Sequence, residues 1–331
     1  MRTRHSLRLA AVGGLVTLAL SGCAAGAPPQ SQASTLTVLV AKGTPLPQQT
    51  LRDFTAQTGI SVRVRTAGTD LQLAQRVREG RARGDLALGL PAPNTAELGE
   101  SRHLLPYTST NSGKGAIDFP YVRSNRLTAT SYDYVCATTS AATHPRTLQD
   151  LTRSRYRGQL TLPDPRRSSA GLTFVLTANA HVDSTGTGSW QHYWQALGAN
   201  GLQVSSDADP AGAVTATTPI RVLSPTRAKV PASRTIGSTC TRRTSYAGIL
   251  DTATHVNQAK RFIDALLTRK AQRRLPSTGD YPVTGGTALT AQQRKVQGLW
   301  EHNGEDNTDT SVSDSEIPGM LRSWVRAVGR G

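Results

Sequence analysis

The chain has 331 residues, with 38 lysines and arginines against 22 aspartates and glutamates, a formal net charge of +16, and only 5% aromatic residues. Such a balance suits nucleic acid, an anionic surface or an anionic ligand. The cations are scattered, however (Arg63, Arg65, Arg76 to Arg83, Arg153 to Arg167, Arg242, Arg243), and no stretch interleaves them with aromatics, which speaks against nucleic acid and for solvated charge or an anionic envelope partner.

In chain order, Arg2, Arg4 and Arg8 make a cationic start, and Leu9 to Leu20 is an uncharged apolar run of 12 residues. That is the length of a signal-peptide core and short of the ~20 residues that span a bilayer. It ends in Leu20-Ser21-Gly22-Cys23, which resembles a bacterial lipobox, so residues 1–22 are expected to be cleaved and Cys23 to carry lipid. Several acyl chains on one residue anchor stably where one is marginal. The expected location is the outer face of the cell membrane. Residues 23–35 are small, polar and proline-bearing, as in a flexible tether. Without the leader's three arginines the formal charge is +13.

About 300 residues remain, enough for two lobes. Leu36 to Val40 predicts a strand, Pro47 to Thr58 a helix, Ile60 to Arg65 a half-exposed strand, Asp70 to Arg81 a helix capped by Asp70, and Asp85 to Leu90 a third strand. This alternation predicts a parallel α/β sheet with right-handed crossovers. Tyr132 to Ala137 predicts a strand, Thr147 to Leu151 a short helix, and Gly158 to Leu162 a strand stopped by Pro163. Leu172 to Ala180 and Trp190 to Leu197 predict helices, and Ala211 to Ser238 a long loop. Asn257 to Arg274 predicts one amphipathic helix and Ile317 to Val328 the last.

No G-x-S-x-G, H-E-x-x-H, phosphate-loop or C-x-x-C pattern occurs, and no two histidines stand at a metal-binding spacing. No enzyme activity, metal or cofactor is expected. Asp164 beside Arg166 and Arg167 is better read as a turn within Pro163-Asp164-Pro165 than as a catalytic acid. Asp164 to Leu172 places Ser168 and Ser169 at a helix start, where free N–H groups and the helix dipole hold anions; an ordinary serine cap is the equal alternative. With Cys23 assigned to lipid, Cys136 and Cys240 are an even pair outside the cytoplasm, expected as a disulfide, with two buried free thiols the alternative.

The motifs that carry a family likeness run in order: Leu36-Thr-Val, Phe54 to Gly59, Gly84-Asp85 with Gly89, Leu105-Pro-Tyr107, Tyr132 with Val135-Cys136, Asp164-Pro-x-x-Ser-Ser-x-Gly-Leu172, Tyr193-Trp194-x-Ala-Leu197, Ala199-Asn-Gly201, Thr239-Cys240 with Tyr246-Ala-Gly248, Tyr281-Pro-Val283 and Trp324. Together they resemble the extracytoplasmic substrate-binding proteins of ABC importers, in particular the thiamine-binding branch in its lipidated actinobacterial form. The resemblance implies a two-lobed, type II periplasmic-binding-protein fold of class α/β, each lobe a mixed sheet flanked by helices, with a ligand cleft between them. It implies residues 36–124 plus 240–331 in one lobe and 125–239 in the other, an ABC permease as partner, and a monomer.

Mapped onto this sequence, the ligand-binding positions it implies are Lys42, Gly43, Asn94, Tyr132, Ser168, Ser169, Asp207, Ser224 and Tyr281. The site loops depart from the branch. Ala41-Lys42-Gly43-Thr44 stands where an acidic residue and an aromatic are usual, Pro91-Ala-Pro-Asn94 where Asp-Asn is, and Ser205 to Asp209 and Leu223 to Ala228 have lost their aromatics. A cationic heterocycle such as thiamine gains from carboxylates and aromatic faces, and this chain offers Lys42 and Arg227. The expected ligand is a neutral or anionic small molecule, with Asp207, Asp209, Tyr132 and Tyr281 as the features that still suit a thiamine-like one. Two further readings are a binding-protein fold used as a sensor or envelope scaffold, and an exported enzyme.

Overall fold

The Leu36-to-Val40 run forms β1 (Thr35–Val40), with Leu36, Val38 and Val40 buried. The computed structural model describes residues 34–91, 95–112, 125–140, 145–186, 188–206, 219–303 and 313–329. The leader, Cys23, most of the tether, Asn94, Asp207 and Asp209 lie outside these. Helix α1 (Gln48–Thr58) buries Phe54 against Phe262 and ends at Gly59 in the left-handed conformation. Strand β2 (Ser61–Thr66) lies parallel to β1 as an exposed edge. Helix α2 (Asp70–Arg78) is capped by Thr69, which forms a reciprocal capping box with Gln72. The predicted cap, Asp70, is the first helical residue; its carboxylate accepts from the Leu71 N–H at 2.8 Å and also reaches beyond the helix. Strand β3 (Leu86–Pro91) completes the parallel trio, and the chain continues into α3 (Thr95–Glu100) and β4 (Leu104–Leu105).

The first three strands are parallel as their alternation with helices predicts, and the middle of the chain makes the sheet mixed. Strand β5 (Thr128–Thr139) and strand β9 (Thr241–Leu250) run antiparallel to each other, and β9 is antiparallel to β3. Strand β5 is shared: Thr128 to Val135 pair with β9, and Cys136 to Thr139 pair with β8 (Ile220–Leu223). Beyond it lie β6 (Leu160–Pro163) and β7 (Gln203–Ser205), giving the order β2-β1-β3-β9-β5-β8-β6-β7 with β4 also on β9. Strand β8 falls inside the stretch expected to be a loop. Its four residues, set among threonines, serines and prolines, are too few to show a period, but tertiary pairing with β5 and β6 fixes them.

Helices α4 (Ser169–Thr185) and α5 (Trp190–Ala199) cover the β5-β8-β6 half. The single helix expected over Asn257 to Arg274 is two: α6 (Val256–Leu266) stops at Leu267, and Thr268 caps α7 (Arg269–Gln272) by accepting from the Ala271 N–H. Helix α8 (Ala291–Asn303) packs Trp300 on Tyr134. Helix α9 (Ile317–Val328) places Trp324 edge-on against Trp194 of α5, so the last element joins the core of α4 and α5. Cys136, on β5, and Cys240, just before β9, lie with Cα atoms 4.2 Å apart and sulfurs at bonding distance. Among the described residues no helix is long and apolar enough to cross a membrane.

Candidate functional site

In an α/β sheet the carboxyl ends of parallel strands open onto the ligand crevice. Here those ends supply Lys42 to Thr44 after β1, Thr69 and Asp70 after β2, and Pro91 of β3. Gly89 has a positive φ of 93° and lies so close to Thr44 that a side chain would displace this loop. The other wall holds Ser169 at the start of α4 and Arg227 after β8, and the floor is Tyr132, Asp133, Arg243, Thr244, Ser245 and Asp280. Gly279, at φ 89°, lets the chain approach the Arg227 backbone, where the Thr226 hydroxyl donates to the Gly279 carbonyl at 2.6 Å.

The floor is a buried ionic network. Arg243 grips Asp133 with both arms of its fork, Nε donating to Oδ1 at 2.9 Å and Nη2 to Oδ2 at 2.7 Å. Its Nη1 donates to Ser169 Oγ at 2.8 Å and lies 3.5 Å from Asp70. Arg227 Nε sits 3.2 Å from Asp133, Nη2 donates to Asp280, and Nη1 donates to the Gly43 carbonyl at 2.9 Å. The Ser169 hydroxyl donates to Asp70, whose other oxygen receives the Ser169 N–H at 3.4 Å.

Burial opposes ionisation of Asp133, but the Arg243 and Arg227 guanidiniums outweigh it and hold its pKa below the usual carboxylate value. Burial pushes Asp280 up to about 6, against the pull of Arg227 and with the like charge of Asp133 adding to the rise. The free space among these groups is about 40 Å³, room for a few waters, whereas pockets for drug-sized ligands run to ~300–1,000 Å³.

Of the residues expected at the site, Lys42, Gly43, Tyr132 and Ser169 line the cleft together. Ser168 does not: it is buried and accepts from the Gly171 N–H as a helix cap. Ser224 is buried beside Asp133, and Tyr281 stacks beneath Tyr132 at 5.0 Å while donating to the Gln293 carbonyl. Both therefore support the floor rather than line it. Asp164 forms the predicted turn, accepting from the Arg166 N–H and pairing with its guanidinium at 2.7 Å.

The sequence reading missed Asp70, Asp133, Arg243 and Asp280. Three of these are carboxylates, beside the expected Lys42 and Arg227; the carboxylates the sequence had offered, Asp207 and Asp209, lie outside the described residues. The signal available was a lone aspartate within the Tyr132-to-Ala137 strand run and an Arg-Arg pair within a threonine-rich one, since a charge in a buried strand calls for a partner. Among the described residues no cluster of three His, Cys, Asp or Glu side chains could hold a metal.

A mixed sheet divided by a shared antiparallel strand pair, with a polar cleft at the carboxyl ends of its parallel strands, is the architecture of a two-lobed binding protein. Residues 36–279 match the model of the bacterial extracellular solute-binding protein family, and the chain belongs to that family. No curated protein sequence matches it. Solved structures share the fold at low identity. A periplasmic thiamin-binding protein aligns at 15% identity and TM-score 0.69 over 91% of this chain and 98% of its own. A spermidine/putrescine ABC-transporter substrate-binding protein from Streptococcus pneumoniae aligns at 13% and 0.67, over 89% and 98%. The periplasmic binding protein AfuA from Actinobacillus pleuropneumoniae, with fructose-6-phosphate bound, aligns at 13% and 0.64, over 90% and 99%.

Proposed function

We propose that this protein is the lipid-anchored solute receptor of an ABC importer, held outside the membrane through Cys23, and that it captures a small neutral or anionic solute rather than thiamine. We assign residues 36–124 and 240–303 to one lobe, 125–239 to the other, and α9 to the second lobe's core. The observation that carries the ligand class is the state of the carboxylates. Asp133 and Asp280 are nearly fully buried and engaged by Arg243 and Arg227, and Asp70 is taken up by Ser169 and lies 3.5 Å from Arg243, so they offer little to a cationic ligand, whereas Lys42 stands exposed at the mouth. The fold itself does not choose, since the similar structures include proteins described as binding thiamin, polyamines and a sugar phosphate.

A thermal-shift screen of the mature chain against vitamins, phosphorylated vitamins, sugar phosphates, carboxylates and polyamines tests this, because a ligand that binds the native state raises the melting temperature. Stabilisation by neutral or anionic compounds supports the reading; stabilisation by thiamine or polyamines alone defeats it. The second reading, a sensor or scaffold module, is favoured by the nearly filled cleft, and it predicts no stabilisation by any small solute.

A further inference from the structure

The groups that fill the cleft do not belong to one side of it. Asp70 is the first residue of α2, whose Leu73, Ala74 and Val77 sit in the core around β1 and β3. Ser169 is the first residue of α4, whose apolar positions form the other core. Their contact spans 99 residues of sequence, and Leu71, next to Asp70, also packs on the α4 core. Arg243 of β9 reinforces this bridge, donating to the Ser169 hydroxyl at 2.8 Å and lying 3.5 Å from Asp70, whereas the Arg227 segment is tied to the α8 side by Gln292, which donates to the Pro225 and Val230 carbonyls. Asp70 remains 20% exposed, while Ser169 is fully buried, so the bridge can be reached from the mouth.

We propose that the Asp70–Ser169 bridge forms a latch that holds the cleft shut without solute, and that Asp70 is the group an entering solute displaces from Ser169. The latch deepens the receptor reading above and rests on it only for the identity of what opens it. A carboxylate that accepts the Ser169 N–H and hydroxyl and lies against Arg243 occupies the donors an oxygen-bearing solute would use. Opening the unliganded cleft then costs a charge-assisted hydrogen bond, a factor of about ten or more in population.

The test is a distance measurement by pulsed electron resonance on the mature chain carrying Cys23→Ser, with spin labels at Arg76→Cys on α2 and Asp183→Cys on α4, both exposed. The parent without solute should give one short distance. Asp70→Asn and Ser169→Ala should each add a longer one, with the open population raised about tenfold or more. Arg63→Ala, which removes an exposed cation on the β2 edge outside the cleft, should keep the parental distance. Since Asp70 and Ser169 lie on opposite sides, misfolding of one variant leaves the other as the test. A parent that is already open, a folded latch variant that keeps the parental distance, or an equal opening in Arg63→Ala overturns the proposal. No solute is needed, so a failed ligand screen leaves the latch standing, and a failed latch leaves the receptor reading intact.

Discussion

Asp133 and Arg243 are register partners on β5 and β9, and their side chains form a two-pronged ion pair at 2.9 and 2.7 Å with 1% and 8% of their surface exposed. Removing one partner of a buried pair strands the other charge, which costs ~3–5 kcal/mol. Arg243→Met should therefore lower stability by that order in a denaturant titration. Adding Asp133→Leu should recover most of the loss, because an apolar pair of similar volume is often neutral or better. A double variant no more stable than the single one would show that the pair is tied to the rest of the network too closely to be exchanged.

Cys136 and Cys240 should be oxidised in the exported protein. They are 104 residues apart, and a cross-link closing a loop of about that length stabilises by ~4–5 kcal/mol in the chain-entropy model. Intact-mass analysis with thiol alkylation under non-reducing conditions should find neither cysteine modified, and reductant should lower the melting temperature. Alkylation of both in the folded, unreduced protein contradicts the pairing.

Asp280 gives the protein a distinctive pH dependence. Its native pKa, about 6, is above the ~4 of an unfolded aspartate, so between these values the folded state holds the proton more tightly. Its contribution is fully present below about pH 4 and is lost as pH rises through about 6. Asp133, held below the usual value, works in the opposite sense, adding stability above about pH 4 that is lost on further acidification. Comparing parent with Asp280→Asn isolates the first effect: the variant should melt at least as high at pH 7, and the gap should shrink or reverse towards pH 4. Melting curves that stay parallel from pH 4 to 7 would assign Asp280 an ordinary pKa.

Calorimetric titration with thiamine should show no binding in the micromolar range. The positive thiazolium would meet carboxylates already engaged by guanidiniums, and Tyr132 is the only aromatic ring lining the described cleft. A sub-micromolar isotherm would mean that the network rearranges to release a carboxylate.

Mass spectrometry of the native amino terminus should find Cys23 as the first residue, carrying diacylglycerol. The ordered arginines, apolar core and Leu-Ser-Gly-Cys predict it. A free terminus downstream of Cys23 rules it out.

Local patterning made the amino-terminal half legible. The apolar β-prone run of β1, the alternation in β2 and the apolar face of α2 named these elements within a few residues. Strand β8 was hidden by its length, and the break between α6 and α7 by an apolar face that continues across Thr268. The site was legible only where residues follow strands or open helices, as with Lys42, Gly43 and Ser169. Asp133 and Arg243 are brought together by antiparallel pairing of segments 110 residues apart, which no local pattern encodes. Asp70 looked like a helix cap, and its actual role depends on Thr69 having taken that position.

The placement of α9 has a further consequence. Helix α8 packs Trp300 in the core of β1 and β3, whereas α9 places Trp324 against the fully buried Trp194 in the core of α4 and α5. Gly198 of α5 lies so close to the Val328 carbonyl that even an alanine methyl would collide with backbone there. Helix α9 thus acts as a keystone, and ending the chain after Asn303 should cost the soluble yield of the whole protein rather than trim a dispensable tail.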